Sequence, residues 1–543
     1  MAAGSQLFVQ GTAHRRWRWG AVGCLALLFS TAFPVQSLAA LSVEGGGPAT
    51  EASQLATSAS KIDPAVLEAF AGKEQVTYLV WLKERADVVR AAAEARRAAE
   101  PAQKELNART AVIQALQETA DRSQADLVAL LEKEQEKGNV SRLERYWVTN
   151  MLVVTSTKEV LELVAARPEV ERILPDEEIY LIKVEDDDSA GAVAAPVDDA
   201  APAADSEAAP DVGAEAVEWN IQRVGAPLVW QQFGVDGTGA VVASLDTGVQ
   251  WTHPALLQQY RGNNPNGTVT HTYSWYDAVN GRTTPYDDHG HGTHTVGTAV
   301  GRDSNGVNQI GVAPGAKWIA AKILNASGSG SSSNILRAGQ WVLAPGGDPA
   351  KAPDVVNNSW GGSAGINDWF RSVVVAWRAA GIVPIFANGN SGPGSGTAGV
   401  PGNYPESIAV GATDASDNLA SFSSRGPSAY GVVKPDLSAP GVSIRSAVPG
   451  GGYQGGWSGT SMAAPHVAGV VALLRSADAG LTVDEIEEIL ITSADPRTDS
   501  TYREVPNNGY GYGIVNAYNA VAQVLSGAGN LSDRNAAGDA LEP

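Results

Sequence analysis

The chain holds 543 residues, 44% of them hydrophobic, with a formal charge of −21 and one cysteine. That length admits two or three domains with sizeable cores, while the acidic balance gives no basic footprint for nucleic acid. A single cysteine rules out a disulfide framework within the chain.

In chain order, the first element is not part of a core. His14-Arg-Arg-Trp-Arg-Trp-Gly precedes an apolar run from Ala21 to Phe33 and the small-residue site Ser37-Leu-Ala39. A charged start, a short apolar stretch and small residues at a cleavage point predict a signal peptide over residues 1–39. The run is too short for a comfortable membrane span, and no later run of eighteen apolar residues occurs. The expected location is therefore secreted and extracellular. Cys24 would leave with the leader, and it precedes most of the apolar run, which argues against a lipid-modified cysteine.

Residues 40–184 form the second segment. Gln75 to Leu82 and Arg145 to Thr155 read as strands, and Lys158 to Ala166 as a helix. Between them, an Ala/Glu/Arg/Gln-rich stretch from Glu84 to Lys137 is interrupted by Pro101, which predicts a helical hairpin rather than one rod. Its composition reads as a solvated insert without a partner-binding role. From Glu185 to Glu218 the chain carries eleven acidic residues and no Lys or Arg, amid Ala and Pro. Such a composition cannot bury enough apolar surface to fold, so residues 185–214 are expected to be a flexible linker. The third segment spans 215–527, and residues 528–543 are an acidic tail expected to be disordered.

Within the third segment, β-like runs at Val241–Leu245, Trp318–Ile323, Val355–Asn357 and Ile382–Ala387 alternate with helix-like ones. The latter fall at His294–Val300, Ile335–Leu343, Trp369–Ala380 and Met462–Ser476. This alternation predicts an α/β fold, a parallel sheet with helices on both faces and active residues at strand ends.

Three short motifs carry the chemistry: Val241-Val-Ala-Ser-Leu-Asp246-Thr-Gly, Asp287-Asp-His-Gly-His291-Gly-Thr-His294 and Gly459-Thr-Ser461-Met-Ala-Ala-Pro465. Asp246 ends a β-branched run at the carboxyl edge of a sheet, where a carboxylate orients an imidazole and stabilises its charged form. Ser461 opens an Ala-rich helical stretch, with small neighbours that let a substrate backbone approach. Taken singly, each motif has other readings. A lone Asp-Thr-Gly also suits an aspartic protease, but no second one exists. His289, His291 and His294 invite a metal, yet the acidic position of a His-x-His-x-Asp-His site is Thr293, and no coherent ligand set follows. The nucleophile elbow Gly-x-Ser-x-Gly is absent around Ser461, where Ala463 takes the second glycine's place.

Together and in this order the motifs resemble the subtilase family over most of residues 216–525. The finer likeness is to bacillopeptidase F-type enzymes, on Ile310-Gly-Val-Ala-Pro-Gly, Asp354-Val-Val-Asn-Asn-Ser-Trp-Gly-Gly and Gly441-Val-Ser-Ile-Arg-Ser. The resemblance implies a subtilisin-like serine endopeptidase, with Ser461 as nucleophile, His291 as general base and Asp246 as its orienting partner. It also implies that Glu169-Val-Glu-Arg-Ile-Leu-Pro-Asp closes an α+β prodomain that assists folding and blocks the cleft. Ile385-Phe-Ala-Asn388-Gly389-Asn390 is similar to the family segment that supplies the oxyanion amide, which falls on Asn390, with Asn388 a competitor by residue type. Substrate-binding positions carried over are Gly328, Ser329 and Gly330 on one wall and Ser359, Trp360 and Gly361 on the other. Gly399-Val-Pro-Gly402 resembles part of the first specificity pocket, and Gly389 is a further carried-over substrate position. His294 is expected to be hydrogen-bonded and structural, His289 a rim residue and His466 a helix residue.

No cofactor is required for this chemistry. The family's acidic calcium ligand falls at Ala255 here, and the loop Asp303-Ser-Asn305-Gly supplies other oxygens, so the metal assignment stays open. Expected partners are protein or peptide substrates and the chain's own prodomain, with no nucleic acid and no membrane span after leader removal. The alternatives are a maturation protease dedicated to one partner and a silent, subtilase-shaped binding protein.

Overall fold

The computed structural model describes residues 58–182, 185–186 and 217–527. The expected leader (1–39), nearly all of the expected linker (187–214 of 185–214) and the tail (528–543) lie outside the described residues. Among the described residues no helix is long and apolar enough to cross a membrane.

The N-terminal segment begins with α1 (Pro64–Ala69), β1 (Val76–Leu82), α2 (Val88–Ala98), α3 (Lys104–Glu136) and β2 (Val140–Tyr146). It continues with β3 (Met151–Ser156), α4 (Lys158–Ala165), β4 (Val170–Pro175), β5 (Glu178–Leu181) and β6 (Glu185–Asp186). Strands β2-β3-β1-β4 form an antiparallel sheet. Side chains alternate across each strand, so Tyr78, Val80 and Leu82 share one cluster with Leu127 and Leu131 of α3 and Val160, Leu161 and Val164 of α4. Pro101 does break the insert, leaving a single 3-10 turn between α2 and α3. The stretch from Arg145 to Thr155 is a hairpin rather than one strand: it turns at Trp147 to Asn150, with Asn150 at φ 51°. An Asn side chain tolerates that left-handed conformation better than most.

The insert is also not the solvated helix its composition suggested. Val88, Ala92, Ala108, Val112, Ile113 and Leu116 are buried in a cluster shared with the following domain. Charged residues between these positions hid the apolar stripe.

Residues 217–527 comprise α5 (Trp219–Arg223), α6 (Ala226–Phe233), β7 (Val241–Asp246), β8 (Trp275–Asp277), α7 (His291–Val300), β9 (Lys317–Lys322), β10 (Ser329–Ser331) and α8 (Ser332–Leu343). Next come β11 (Val355–Asn358), β12 (Trp360–Gly361), α9 (Arg371–Ala379), β13 (Val383–Ala387), β14 (Ile408–Thr413), β15 (Leu437–Pro440), β16 (Ile444–Val448) and β17 (Gly452–Ser458). Helices α10 (Thr460–Ala477), α11 (Val483–Ser493) and α12 (Ala517–Gly527) close the domain. Seven parallel strands run in the order β15-β14-β13-β11-β7-β9-β8. Successive residues of β7 face opposite ways: Val242 packs with residues of α7, α10, α11 and α12, whereas Ala243 and Leu245 pack with residues of α8 and α9. This is the doubly covered sheet that the alternating pattern predicts.

Two strands of the N-terminal segment leave their own sheet. β5 lies antiparallel between β10 and β12, with Tyr180 opposite Ser329 and Gly361, and the Leu181 amide donates to Gly328 O at 2.8 Å. β6 pairs with β17 through Trp457 and Ser458. Residues 185 and 186, placed in the linker by composition, are therefore paired with the domain that follows.

Candidate active site

The parallel register of β7 brings Asp246 to the carboxyl edge of the sheet, opposite Lys322 of β9. Thr247 then turns the chain and donates its amide to Asp246 Oδ1 at 2.7 Å. His291 opens α7, and its Nδ1 lies 2.8 Å from Asp246 Oδ1 and 3.0 Å from Oδ2, with both side chains buried. The close approach depends on Gly292, because a Cβ there would sit 2.0 Å from Gly248 O. The Asp-Thr-Gly and His-Gly-Thr-His motifs therefore need their glycines to touch each other.

Ser461 is the second residue of α10 and fully buried, and its Oγ donates to Ser359 O at 3.2 Å. His291 Nε2 is buried with no hydrogen-bond partner among the described residues. The structure thus joins Asp246 to His291 and leaves the Ser461 hydroxyl turned toward the β12 wall. Pro465 explains a further link: lacking an N–H, it cannot bond the carbonyl four residues back. That carbonyl, Ser461 O, instead accepts from Ser359 Oγ at 2.9 Å.

Asn390 and Asn388 have different surroundings. Asn390 Oδ1 accepts from the amide of Thr460 at 2.9 Å and its hydroxyl at 2.8 Å, so it caps the start of α10. Its Nδ2 lies against Gly459, where a Cβ would come within 3.0 Å. Asn388 is fully buried and donates to Ser424 O at 2.7 Å, a structural amide.

The carried-over substrate positions surround β5. Gly328, Ser329 and Gly330 form one wall, while Trp360 and Gly361 pair with it from the other side. Trp360 contributes backbone only, because its ring is fully buried against Phe370 and Phe386. Gly399 backs that wall, with space for no side chain: a Cβ would sit 2.4 Å from Gly362 O. Gly389 donates its amide to Thr460 Oγ1 at 3.1 Å. Ile182 follows β5 and reaches Gly361, its Cδ1 lying 3.6 Å from where a Cβ would stand.

Burial lowers the pKa values of His289, His294 and His466. His294 stacks on Trp457 with ring centroids 4.3 Å apart and planes 4° apart. The Gln454 and Ile444 backbone lies at its ring alongside the stacking, in keeping with the expected structural role. Burial depresses its pKa to about 3, with the His291 ring adding to the effect. His466 is depressed to about 4 by burial, and its ring meets Asn220 Nδ2 at 2.8 Å and Met462 O at 2.9 Å. His289 sits at the rim near Gly328, its pKa lowered by burial and by His291.

Two further residues hold the site together in roles that the motifs do not assign. Asp287 Oδ2 accepts from the amide (3.0 Å) and hydroxyl (2.6 Å) of Thr293, while its Oδ1 takes Thr247 Oγ1 (2.9 Å) and the Gly290 amide (2.8 Å). It fastens the head of α7 to the turn after Asp246. An acidic residue just ahead of a helix start is the signal that marks it. Lys322 is fully buried, and its Nζ donates to Thr247 O, to Asp288 Oδ1 at 2.6 Å and to Leu324 O at 2.7 Å. One ammonium therefore ties the Asp246 turn, the loop before His291 and the strand leading to β10.

The residues around Ala255 do not fit a calcium ion. Ala255 O accepts from the Arg302 amide at 3.0 Å. Asp303 takes the Asn308 amide (3.0 Å) and Nδ2 (2.7 Å), and Asn305 Oδ1 takes the Val307 amide. Calcium needs six to eight oxygens turned to one point, whereas here the loop's carboxylate faces N–H donors. No group of three His, Cys, Asp or Glu among the described residues is arranged to hold a metal.

The chain is 47% identical over 504 residues to bacillopeptidase F of Bacillus subtilis strain 168, covering 89% of this chain and 34% of that protein. It is 39% identical over 314 residues to serine protease AprX of the same strain, 52% of this chain and 66% of that one. Subtilisin of Bacillus pumilus is 36% identical over 306 residues, 56% of this chain and 98% of that protein. The chain thus spans about a third of the first of these relatives and about two thirds of the second. A family match covers residues 237–513, a span that takes in Asp246, His291, Asn390 and Ser461, and the chain belongs to the subtilase family.

Proposed function

We propose that this chain is a secreted serine endopeptidase made as a self-processing precursor. The observation that supports this reading is the course of β5. It runs through the cleft as an added strand, the way an extended substrate pairs with a sheet edge, and leads directly to Ile182 beside Gly361. The bond offered for cleavage is Ile182–Lys183, at the near edge of the stretch where composition predicts a tether.

The chemistry follows from the side chains present and needs no cofactor. The Ser461 hydroxyl leaves Ser359 O and turns to His291 Nε2, which takes its proton as Oγ bonds to the Ile182 carbonyl carbon. Asp246 holds the imidazole tautomer and stabilises the imidazolium without itself being protonated. Asn390 Nδ2 and the Ser461 amide stabilise the oxyanion. His291 then gives its proton to the Lys183 nitrogen as the C–N bond breaks, and water hydrolyses the acyl-enzyme by the reverse roles. Ile179 is buried at 7% exposure and Tyr180 is 54% exposed. The cleft therefore favours an aliphatic side chain three residues before the one at the cut and tolerates breadth at the position after it, where Tyr180 stands.

Intact mass over time, on the leaderless precursor and its Ser461→Ala twin, tests the reading. The parent is expected to split after Ile182 and the twin to stay whole. Equal splitting of both assigns the cut to an outside protease. If neither splits and casein is untouched, the chain is a silent scaffold.

A further inference from the structure

We infer that the hairpin of α2 and α3 is a second docking surface, separate from the cleft, that keeps the N-terminal segment seated after its carboxyl end is cut and so sets when activity appears. The inference rests on the self-processing reading above, and it concerns a surface to which nothing in that chemistry assigns a role.

The contact is built from side chains aimed at the carbonyl end of α9. Arg96 Nη2 donates to Ala379 O at 3.0 Å, and Arg109 Nε to Ala380 O at 3.2 Å. Arg109 Nη1 also reaches Pro349 O at 3.1 Å. Between the two arginines, Glu105 accepts from Arg96 through both carboxylate oxygens at 2.8 Å. It occupies the notch over Gly381, where a Cβ would lie 2.5 Å from Glu105 Oε2. The last carbonyls of a helix have no partner of their own and carry partial negative charge, so guanidinium groups suit them. Arg475 of the peptidase domain supplies only the third such bond, to Gly381 O at 2.9 Å. Two of the three arginines that bond the carbonyls of Ala379, Ala380 and Gly381 therefore come from the segment that departs.

The same helix serves two cores. The second half of α3 packs Leu127 and Leu131 on the segment's own sheet, while Ala108, Val112, Ile113 and Leu116 in its first half join α2 in the shared cluster. Hydrolysis at Ile182 cuts the chain at the end of β5 and touches none of these contacts. The segment that remains is a non-covalent partner, and the end of α9 is one of its addresses, beside the sheet face that joins the same cluster through Leu79, Trp81, Met151 and Val153.

The test uses the whole precursor, following the mass of the cut fragment, its co-elution with the peptidase on a sizing column, and hydrolysis of a small peptide substrate. In the parent, the fragment is expected to co-elute after cutting, with activity lagging behind the cut. Arg96→Met/Arg109→Met is expected to leave the cutting time within two-fold and shorten the lag at least ten-fold. Should the double variant not reach a cut state, Arg109→Gln alone, which keeps the Arg96–Glu105 tie, is read the same way. An unchanged lag in a properly cut variant, or a parent fragment that separates at once on cutting, overturns the inference. A parent that is never cut overturns the self-processing reading instead, and the two failures are distinguished by mass alone.

Discussion

Two of the places where the N-terminal segment meets the peptidase domain are held by different chemistry. At β5 the partners are main-chain groups of β10 and β12, and any extended peptide offers the same groups. At the hairpin the partners are Arg96, Glu105 and Arg109 set in one register on the end of α9, which an arbitrary substrate does not carry. Cleft occupancy is thus exchangeable by design, whereas the hairpin contact is particular to this segment. Under the self-processing reading proposed above, a peptidase blocked by its own chain and later open to others needs both kinds of contact.

The largest effect expected short of removing Ser461 is at Asn390. Asn390→Leu should lower kcat on the order of 10²–10³-fold while KM changes little, a magnitude established in subtilisin, a member of this family. Steady-state kinetics on a peptide that bypasses the hairpin checks it. A change confined to KM would move Asn390 from the oxyanion to the substrate wall. Lys322→Met comes next, because it frees the Asp246 turn and the loop before His291 together. Misplacing reacting groups by about 1 Å costs about 10²-fold, so kcat should fall by about that factor or less with KM kept. A drop in thermal stability with full kcat would reduce Lys322 to a packing residue.

How much of this was legible beforehand follows from where the signals are local. Asp246, His291 and Ser461 sit in motifs whose glycines and alanines are dictated by nearby backbone, such as Gly292 against Gly248 O. The strands around them are continuous apolar runs, and β7, β9, β11 and β13 begin and end within a residue or so of expectation. Lys322 escaped because a lysine in a strand reads as exposed, and only the three acceptors converging on Nζ reverse that reading. The hairpin escaped because its apolar positions are diluted by Arg, Glu and Gln, and because a guanidinium bound to a helix end 271 residues away leaves no local pattern. The turn at Asn150 was hidden between β-branched Val148 and Thr149 on one side and the apolar run Met151-Leu-Val-Val on the other.

Acid should separate the two regions as well. His253 and His466 have pKa values pushed down to about 4 by burial, and His294 to about 3. A histidine depressed when folded binds its proton more readily when unfolded, so its stability contribution is complete above about pH 6.5 and is lost as pH falls toward the folded values. Each should give a slope approaching about 1.4 kcal/mol per pH unit in that window. All three lie in the peptidase domain, and residues 58–182 contain no histidine. The Glu144–Arg337 pair between the two regions (2.7 Å) survives the same window. Burial works against ionisation of Glu144, but hydrogen bonds from Arg142 and Tyr146 and the Arg337 charge hold its pKa at about 2. Urea midpoints of the Ser461→Ala precursor from pH 7 to pH 4 should therefore fall. A flat profile would mean that these histidines stay accessible to protons in the native state.

The smallest effects are expected along β5 itself, and they sharpen the contrast with the hairpin. If β5 is held mainly by its backbone, its side chains should matter only where they enter the domain. Ile179 does so, packing in the cluster that contains Leu324, Ile335, Leu336 and Trp360. Removing most of such a side chain forfeits up to about 2 kcal/mol of burial, so Ile179→Ala should slow the Ile182 cut by about thirty-fold at most. The Tyr180 side chain is exposed and, among the described residues, its hydroxyl bonds Glu178 Oε2 beside it, so Tyr180→Ala should change the cutting time less than two-fold. Equal slowing by the two substitutions would mean that the strand is read residue by residue, and the cleft would then be as selective as the end of α9.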